Sequence, residues 1–265
     1  MRWIESHVEV AGPVEQPHVR AWATVLRVPT PDGVVWFKAA RAAFAHEARV
    51  LEVLQPLAPD LLPEVIASSD EGWLLLADAG ERAREHPIDW RPMLHAYAAL
   101  QRASAAHVDA LLATGAYDNR PATVVERVRS LMSYLPAALA TELDARLPYV
   151  AARMDRLAAS RLPLTIDQAD LHDGNVFSAD GRVRIIDWGD SAVAHPFFTL
   201  SVAEPDETAW ALEAWAGYAP QVELQEEAAI VEELRFLLRA LNWEHTAALG
   251  ESEHLIDRIR LFVER

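Results

Sequence analysis

Cysteine, lysine and long apolar runs are what this sequence lacks or nearly lacks. Without cysteine the chain can form no disulfide, so nothing in it indicates an oxidising compartment. The longest apolar runs, such as WLLLA at residues 73–77, are too short to span a bilayer. The first ten residues, MRWIESHVEV, contain acidic side chains and no apolar core, which argues against a signal peptide. We therefore expect a cytoplasmic protein that does not enter a membrane.

A basic tract is also absent. The 265 residues carry 24 Lys plus Arg against 40 Asp plus Glu, a formal net charge of −16 at pH 7. An acidic excess of this size repels nucleic acid and anionic membrane surfaces, so neither is expected as a partner. With 51% hydrophobic residues, the chain is long enough for one large domain or for two lobes with a sizeable core.

Residues 165–190, TIDQADLHDGNVFSADGRVRIIDWGD, hold the most informative pattern in the chain. The short runs NVF and VRII are typical of strands, and the SADGR between them is typical of a tight turn. The segment therefore predicts a β-hairpin with Asp180 and Gly181 as its two turn residues.

This hairpin would bring polar side chains together at its open end. In the predicted register Asn175 faces Ile186 and Asp187 comes next, so the Asn175 and Asp187 side chains start roughly 5 to 8 Å apart. Two oxygen donors at that separation suit a hard divalent cation, and Mg²⁺ bound to phosphates takes only one or two such ligands from protein. Asp170, on the loop before the hairpin, can receive a proton from a hydroxyl nucleophile. The spacing predicts phosphoryl transfer.

Two alternatives compete with this interpretation. Asp, Asn and Gly are common in any surface turn, so DLHDGN is also explained as an ordinary loop. A calcium loop of the EF-hand type fails on spacing, because Gly174 at its sixth position puts Ala169 and Leu171 at the first and third. Neither side chain can ligate Ca²⁺.

Lys38 is the single lysine among the 24 basic residues. It lies in VVWFKAA, the second arm of a predicted hairpin whose first arm is WATVLRV and whose turn contains PDG. A compact ammonium there can reach phosphate oxygens as a point charge, a task for which guanidinium is no equivalent. The alternative is one surviving surface lysine.

The next segment, ARAAFAHEARVLEVLQ at residues 40–55, is predicted to be a helix with a stripe of apolar residues at Phe44, Val50 and Leu54. Glu47 falls within that stripe. An acid on a buried face needs a partner, and we expect the ammonium of the preceding strand to supply it. The alternative is a solvated glutamate at the border of the stripe.

DLHDGN followed by IIDWGD resembles the catalytic segment of the aminoglycoside phosphotransferase and choline kinase family. The same two blocks parallel the D-x-x-x-x-N and D-F-G motifs of protein kinases. The resemblance implies that Asp170 is the catalytic base, that Asn175 and Asp187 bind Mg²⁺, and that ATP is the phosphate donor. It places His172 where protein kinases carry a lysine near the transferred phosphate. It also makes the lysine and glutamate described above the nucleotide-binding pair.

The resemblance further implies a two-lobed α+β fold of the protein-kinase type. A small sheet-rich N-lobe would occupy residues 1–78, and a larger, mainly helical C-lobe residues 79–265. LADAG after the fifth strand would be the hinge, with the backbone of Ala77 and Ala79 hydrogen-bonded to adenine. DWGDSAVAHPFF leaves almost no activation segment, so we expect a small-molecule acceptor rather than a protein substrate.

The sequence departs from the family pattern in two places. Gln168 stands where the family usually has histidine, so the hydrogen bond that orders the loop is made by an amide or lost. No glycine-rich phosphate loop appears in HVRAWATVLRV at residues 18–28. These departures favour a nucleotide-binding pseudoenzyme as one alternative to an active kinase. A noncatalytic helical interaction module is another.

The acceptor is indicated only by charge. Residues 196–265 contain 14 Asp plus Glu and five Arg, which accounts for nine of the excess negative charges. An acidic site would concentrate a cationic acceptor such as an aminoglycoside, an amino sugar or an amino alcohol, on which Trp210, Trp215 or Trp243 would stack. We therefore predict an amine-bearing hydroxyl compound. The alternative is that these acids occupy solvated helix faces, as in the helix that Glu223 is predicted to open.

Overall fold

The computed structural model describes residues 1–265. The strands are β1 (Glu15–Val19), β2 (Ala23–Thr30), β3 (Gly33–Ala40), β4 (Val65–Ser68), β5 (Trp73–Ala77), β6 (Glu81–Arg82), β7 (Tyr117–Asn119), β8 (Thr165–Asp167), β9 (Val176–Ala179), β10 (Arg182–Ile185) and β11 (Ala192–Ala194). The helices are α1 (Arg2–Glu5), α2 (Glu47–Leu54), α3 (Trp90–Ser104), α4 (Val108–Thr114), α5 (Pro121–Leu131), α6 (Ala137–Ala158), α7 (Pro205–Ala214), α8 (Gln221–Asn242), α9 (Glu244–Ala248) and α10 (Glu253–Val263). No helix combines the length and the apolar character that crossing a bilayer requires.

The chain folds into two compact units. The first contains Met1–Ile88, Thr114–Ala116 and Asp173–Gly189, and the second contains Asp89–Ala113, Tyr117–His172 and Asp190–Arg265. The β9–β10 hairpin therefore groups with the N-terminal sheet. The functional division at residues 1–78 and 79–265 stays a prediction.

The first unit is built on a five-stranded antiparallel sheet in the order β1-β2-β3-β5-β4. The predicted β2–β3 hairpin is confirmed, with Thr30 opposite Gly33 and Val25 opposite Lys38. Side chains alternate along β3, so Phe37 packs into the core that includes Ile4 of α1, whereas Lys38 points to the other face. That alternation places a single ammonium on the face opposite the α1 core.

The hairpin formed by β9 and β10 has the predicted register. Arg182 pairs with Ala179, and the Ile186 amide donates to the Asn175 carbonyl at 2.9 Å. The turn residues Asp180 and Gly181 have φ of 52° and 75°, the left-handed conformation that a type I′ turn requires at both positions. β6 pairs with β9 and completes a three-stranded sheet.

Helix α2 starts later than predicted. Residues 42–44 form a 3₁₀ turn, and the α-helix begins at Glu47 rather than near residue 40. The amide of Arg41 donates to the Trp22 carbonyl at 2.8 Å, so the chain stays extended and attached to the sheet at the point where the helix was expected to begin. The predicted apolar stripe is nevertheless buried, including Val50 and Leu54.

The second unit consists mainly of helices. Buried residues of α5, α6, α8 and α10 form its core, and α8 contributes Leu224, Val231, Leu234 and Leu238 at helical spacing. A small sheet in the order β7-β11-β8 lies in the same unit. Every residue of β8 is buried, and this strand leads directly into residues 168–172 of the predicted catalytic loop.

Candidate active site

The ammonium of Lys38 lies between two carboxylates of the first unit. Its Nζ is 2.6 Å from Glu47 Oε2 and 2.5 Å from Asp187 Oδ1. Burial by itself lowers the pKa of Lys38, but the two carboxylates outweigh burial and raise the pKa above its ordinary value. The group is therefore a permanent cation, and the predicted pairing of Lys38 with Glu47 is confirmed.

Glu47 connects the sheet to the segment after the β9–β10 hairpin. It lies in the first turn of α2, and its Oε1 accepts a hydrogen bond of 3.0 Å from the Trp188 amide. Burial raises the pKa of Glu47, whereas Lys38 and the Trp188 amide act in the opposite direction. A carboxylate so nearly enclosed is stable only because these partners occupy both of its oxygens.

Asp187 has a backbone conformation that most residues avoid. Its φ is 59°, in the left-handed region where Asp and Asn are enriched among non-glycine residues. The next residue, Trp188, is fully buried and donates its indole N–H to the Ile185 carbonyl at 2.8 Å. Strained backbone of this kind persists where surrounding contacts impose it, and it is concentrated at functional sites. The Asp187 side chain remains about half exposed, at 47%.

Asn175 and Asp187, the residues predicted to bind metal, suit only an ion that phosphates and water also coordinate. No group of three or more His, Cys, Asp or Glu side chains is arranged to hold a metal ion. Mg²⁺ bound by protein alone therefore has no support. Mg²⁺ that is bound mostly by phosphates and water needs only one or two protein oxygens, and the Asn175 amide and the Asp187 carboxylate on one hairpin meet that need.

The loop that carries Asp170 is held from two sides within the second unit. Ala169 has a φ of 72°, and its carbonyl accepts a 2.7 Å hydrogen bond from the side-chain amide of Asn242 on α8. The Asp170 amide donates to Gln168 Oε1 at 2.9 Å, and Asp170 Oδ2 lies 3.2 Å from His172 Nε2. The glutamine thus makes the ordering hydrogen bond that sequence alone left open.

A buried polar group beneath this loop was not anticipated. The backbone amide of Gln168 donates to the Tyr97 hydroxyl at 2.8 Å, and that hydroxyl lies 3.4 Å from Asp167 Oδ1. Burial raises the pKa of Asp167 to about 7, although the Ala169 amide and Tyr97 oppose the change. The available signal was an acid directly after LTI, three residues that favour a buried strand.

Asp173 of the DLHDGN motif also pairs with a residue of another segment. Asp173 Oδ1 accepts hydrogen bonds of 3.0 and 2.7 Å from the Arg84 guanidinium, and its carbonyl accepts one from the Arg84 amide at 3.1 Å. These contacts attach the start of the hairpin to the segment after β6. The sequence offered no signal for this pairing, because the two residues lie far apart in the chain.

The two alanines of the predicted hinge, Ala77 and Ala79, differ in their backbone hydrogen bonds. The Ala77 amide donates to the Glu64 carbonyl at 3.0 Å, so this amide is already engaged. Ala79 makes no backbone hydrogen bond within the protein, which leaves its amide and carbonyl for a ligand. Asp78 between them accepts hydrogen bonds from the Trp36 indole at 3.4 Å and the Gly80 amide at 3.1 Å.

The structure corrects one of the tryptophan assignments. Trp215 is only 1% exposed and packs edge-on against Phe197, so it cannot stack on an acceptor. It is buried because the turn after α7 folds onto the helical core. Trp243 packs against His254, with ring centroids 4.4 Å apart. Trp210 is partly buried on α7.

Acidic residues of α8 form ion pairs with arginines of the same unit. The pairs are Glu223 with Arg161 at 3.1 Å, Glu226 with Arg156 at 2.8 Å and Glu233 with Arg153 at 2.7 Å. Acids neutralised in this way occupy solvated helix faces, as the alternative interpretation of the sequence proposed. They therefore give little support to an acidic acceptor site.

Comparison with known proteins identifies the fold. The sequence model of the phosphotransferase enzyme family matches residues 13–237. Comparison with curated protein sequences gives no match. Similar solved structures include a macrolide 2′-phosphotransferase from Brachybacterium faecium, which is 19% identical, with 98% of this chain and 95% of that chain covered and a TM-score of 0.66.

Two further structures show the same likeness. An ethanolamine kinase from Plasmodium vivax is 9% identical, with 95% of this chain and 80% of that chain covered and a TM-score of 0.68. The GDP complex of aminoglycoside 2′-phosphotransferase-IIIa is 14% identical, with 98% and 93% covered and a TM-score of 0.65. The predicted protein-kinase-like α+β fold, with a sheet-rich N-terminal part and a helical C-terminal part, is confirmed.

Proposed function

Because the chain belongs to the phosphotransferase enzyme family, we propose that it transfers the γ-phosphate of ATP, with Mg²⁺, to a hydroxyl group of a small molecule. The observation that carries this proposal is the Lys38 ammonium held by Glu47 and Asp187 at 2.6 and 2.5 Å. A cation so well enclosed is pre-positioned for phosphate oxygens, and it accounts for a lysine in a chain that otherwise uses arginine.

The proposed reaction gives a role to each residue predicted to bind metal or to accept the proton. Asn175 and Asp187 would hold the magnesium ion, which neutralises charge on the phosphates when it is bound. Lys38 and the Ala79 backbone would bind the nucleotide. Asp170 would accept the proton of the acceptor hydroxyl, and His172, 3.2 Å from its carboxylate, would keep it oriented.

The transfer step balances without any further reactant. The acceptor oxygen forms a bond to the γ-phosphorus while the bond from that phosphorus to the bridging oxygen of ADP breaks. The hydroxyl proton passes to Asp170, and ADP leaves. Gln168 supports this role, because its hydrogen bond to the Asp170 amide fixes the loop on which the base stands.

A nucleotide-binding pseudoenzyme remains the competing function. The argument for it from Gln168 is weakened, because Gln168 makes the hydrogen bond that the family histidine was expected to make. An amine-bearing acceptor also remains a candidate, because similar structures include an ethanolamine kinase and an aminoglycoside phosphotransferase. The acidic residues of α8 add little to that candidate.

Two measurements test the proposal. MgATP should raise the melting temperature of the protein, since a ligand at 100 times its Kd contributes about 2.7 kcal/mol to stability. Coupled ADP release should then identify acceptors among aminoglycosides, amino sugars, amino alcohols, neutral sugars and hydroxy acids. A thermal shift without turnover for any acceptor would favour the pseudoenzyme, and no shift with ATP, either with or without Mg²⁺, would contradict nucleotide binding altogether.

A further inference from the structure

Arginines of two helices gather near the catalytic loop of the second unit. Arg235 and Arg239 lie four residues apart on α8 and therefore share a face of that helix, and Arg258 lies on α10, which packs against α8. Asn242, three residues after Arg239, donates its side-chain amide to the Ala169 carbonyl at 2.7 Å. The same face of α8 that carries Arg239 thus contacts the residue preceding the catalytic base.

Two of these arginines have no protein partner. Arg235 pairs with Glu232 at 3.2 Å, whereas Arg239 and Arg258 make no hydrogen bond or ion pair with any residue of the chain. Both unpaired side chains are half-buried. Arg153 and Arg156 of α6 and Arg235 of α8 are each paired with an acid, so Arg239 differs from these neighbouring arginines.

The surroundings of Arg239 are short of negative charge. Burial, Arg258 and Arg235 all lower the pKa of Arg239, and only Asp170 raises it. Guanidinium nevertheless stays protonated in proteins. A half-buried cation beside a second cation costs free energy unless an anion compensates. Asp170 is the only compensating group, and the reaction proposed above requires it as a base.

We propose that Arg239, with Arg258 beside it, binds an anionic oxygen group of the acceptor, a carboxylate or a phosphate, and so directs the acceptor hydroxyl to Asp170. The planar guanidinium fork matches both groups and binds them through two parallel hydrogen bonds. Fixing one end of a small acceptor in this way orients its hydroxyl for transfer. This inference rests on the proposed kinase function and selects an anionic acceptor over a cationic one.

The nucleotide is a poorer candidate for this anion. Lys38, together with a magnesium ion that Asn175 and Asp187 would hold, already supplies positive charge for the nucleotide phosphates in the reaction proposed above. Asp170 is the group that receives the acceptor proton, so the charge beside it acts on the acceptor. Like-charge repulsion from two guanidinium groups disfavours an amine at the same position.

A charge series on one three-carbon frame tests the inference. Glycerate and glycerol 3-phosphate carry the two anionic groups, glycerol is neutral, and 3-aminopropane-1,2-diol is cationic. Binding of each is measured by calorimetry with saturating MgADP present, so that nucleotide phosphates do not compete. We expect at least one anionic probe to bind the wild type tenfold or more tightly than glycerol and the aminodiol. Comparison of the two anionic probes distinguishes carboxylate from phosphate as the group bound.

Variants assign the effect to individual arginines. Arg239→Gln should weaken the preferred anionic probe at least tenfold, a loss of about 1.4 kcal/mol, and Arg258→Gln should weaken it in the same direction. Arg239→Lys retains charge but not the fork, so an intermediate loss is expected. Arg260→Gln is the matched control, because Arg260 is exposed on α10 and already paired with Asp257 at 3.1 Å.

The inference is overturned if neither anionic probe binds saturably, if the aminodiol binds most tightly, or if Arg239→Gln and Arg258→Gln both bind the anionic probes like the wild type. An MgADP thermal shift in every variant shows that each one folds and retains the nucleotide site. The same shift separates the two proposals. Its absence in the wild type counts against kinase function, whereas its presence without anion preference counts only against the arginine site.

Discussion

Asp167→Asn should make the protein more stable at neutral and alkaline pH. Asp167 ends β8, is 3% exposed, and has no charged side chain facing it. Its polar neighbours are the Tyr97 hydroxyl at 3.4 Å and the Ala169 amide. Burial raises the pKa of this carboxyl from 3.8 to about 7, so the folded protein keeps it protonated over a pH range in which the unfolded chain ionises it.

The sign and size of the effect follow from linkage. Below pH 3.8 the carboxyl is protonated in both states and contributes no pH dependence. Above that value the unfolded state loses the proton first, and each pH unit costs the folded state about 1.36 kcal/mol. The penalty reaches about 1.6 kcal/mol at pH 5 and levels off at about 4 kcal/mol above pH 7. The carboxyl of Asp167 therefore reduces stability as pH rises, and a neutral amide removes that dependence.

Urea unfolding of wild type and variant at pH 5 and pH 8 measures this difference. The gain in unfolding free energy of Asp167→Asn over wild type should be about 2 to 3 kcal/mol larger at pH 8 than at pH 5. Subtracting the wild type cancels the other titrating groups. Asp144→Asn, at an exposed position on α6, should show no such difference. An Asp167→Asn effect that is the same at both pH values would refute the reasoning.

The remaining predictions concern the candidate site. Asp170→Asn should retain the MgATP thermal shift but lose about 10²–10⁴-fold in acceptor-dependent ADP release, because a general base is removed; equal loss of nucleotide binding would make the residue structural. Asp187→Asn tolerates the positive φ yet weakens the metal site, so Mg²⁺-dependent turnover should fall. Asp180→Asn in the turn of the same hairpin is its control and should behave like wild type. Lys38→Arg keeps the charge, but guanidinium is too large to fit between the two carboxylates, so ATP affinity or turnover should drop. Unchanged kinetics would remove Lys38 from the site.

Local chemistry in the sequence was enough to predict the β9–β10 hairpin. A two-residue turn at Asp180 and Gly181 permits only one register, and that register puts Asn175 opposite Ile186. Side-chain alternation along a strand and periodicity along a helix were likewise enough to predict that Lys38 and an inward-facing glutamate would meet. These features depend on residues near one another in the chain, where backbone geometry alone limits the outcome.

What the tertiary structure alone decided depends on residues that are distant in sequence. Burial of Trp215, the raised pKa of Asp167 and the position of Arg239 near Asp170 each depend on which helix packs against which strand. Net charge did not predict which charges pair, because acids of α8 form ion pairs with Arg153 and other arginines, whereas Arg239 on the same helix makes no ion pair. A sequence specifies how many charges a protein carries, but packing determines which of them neutralise one another and which are left for a substrate.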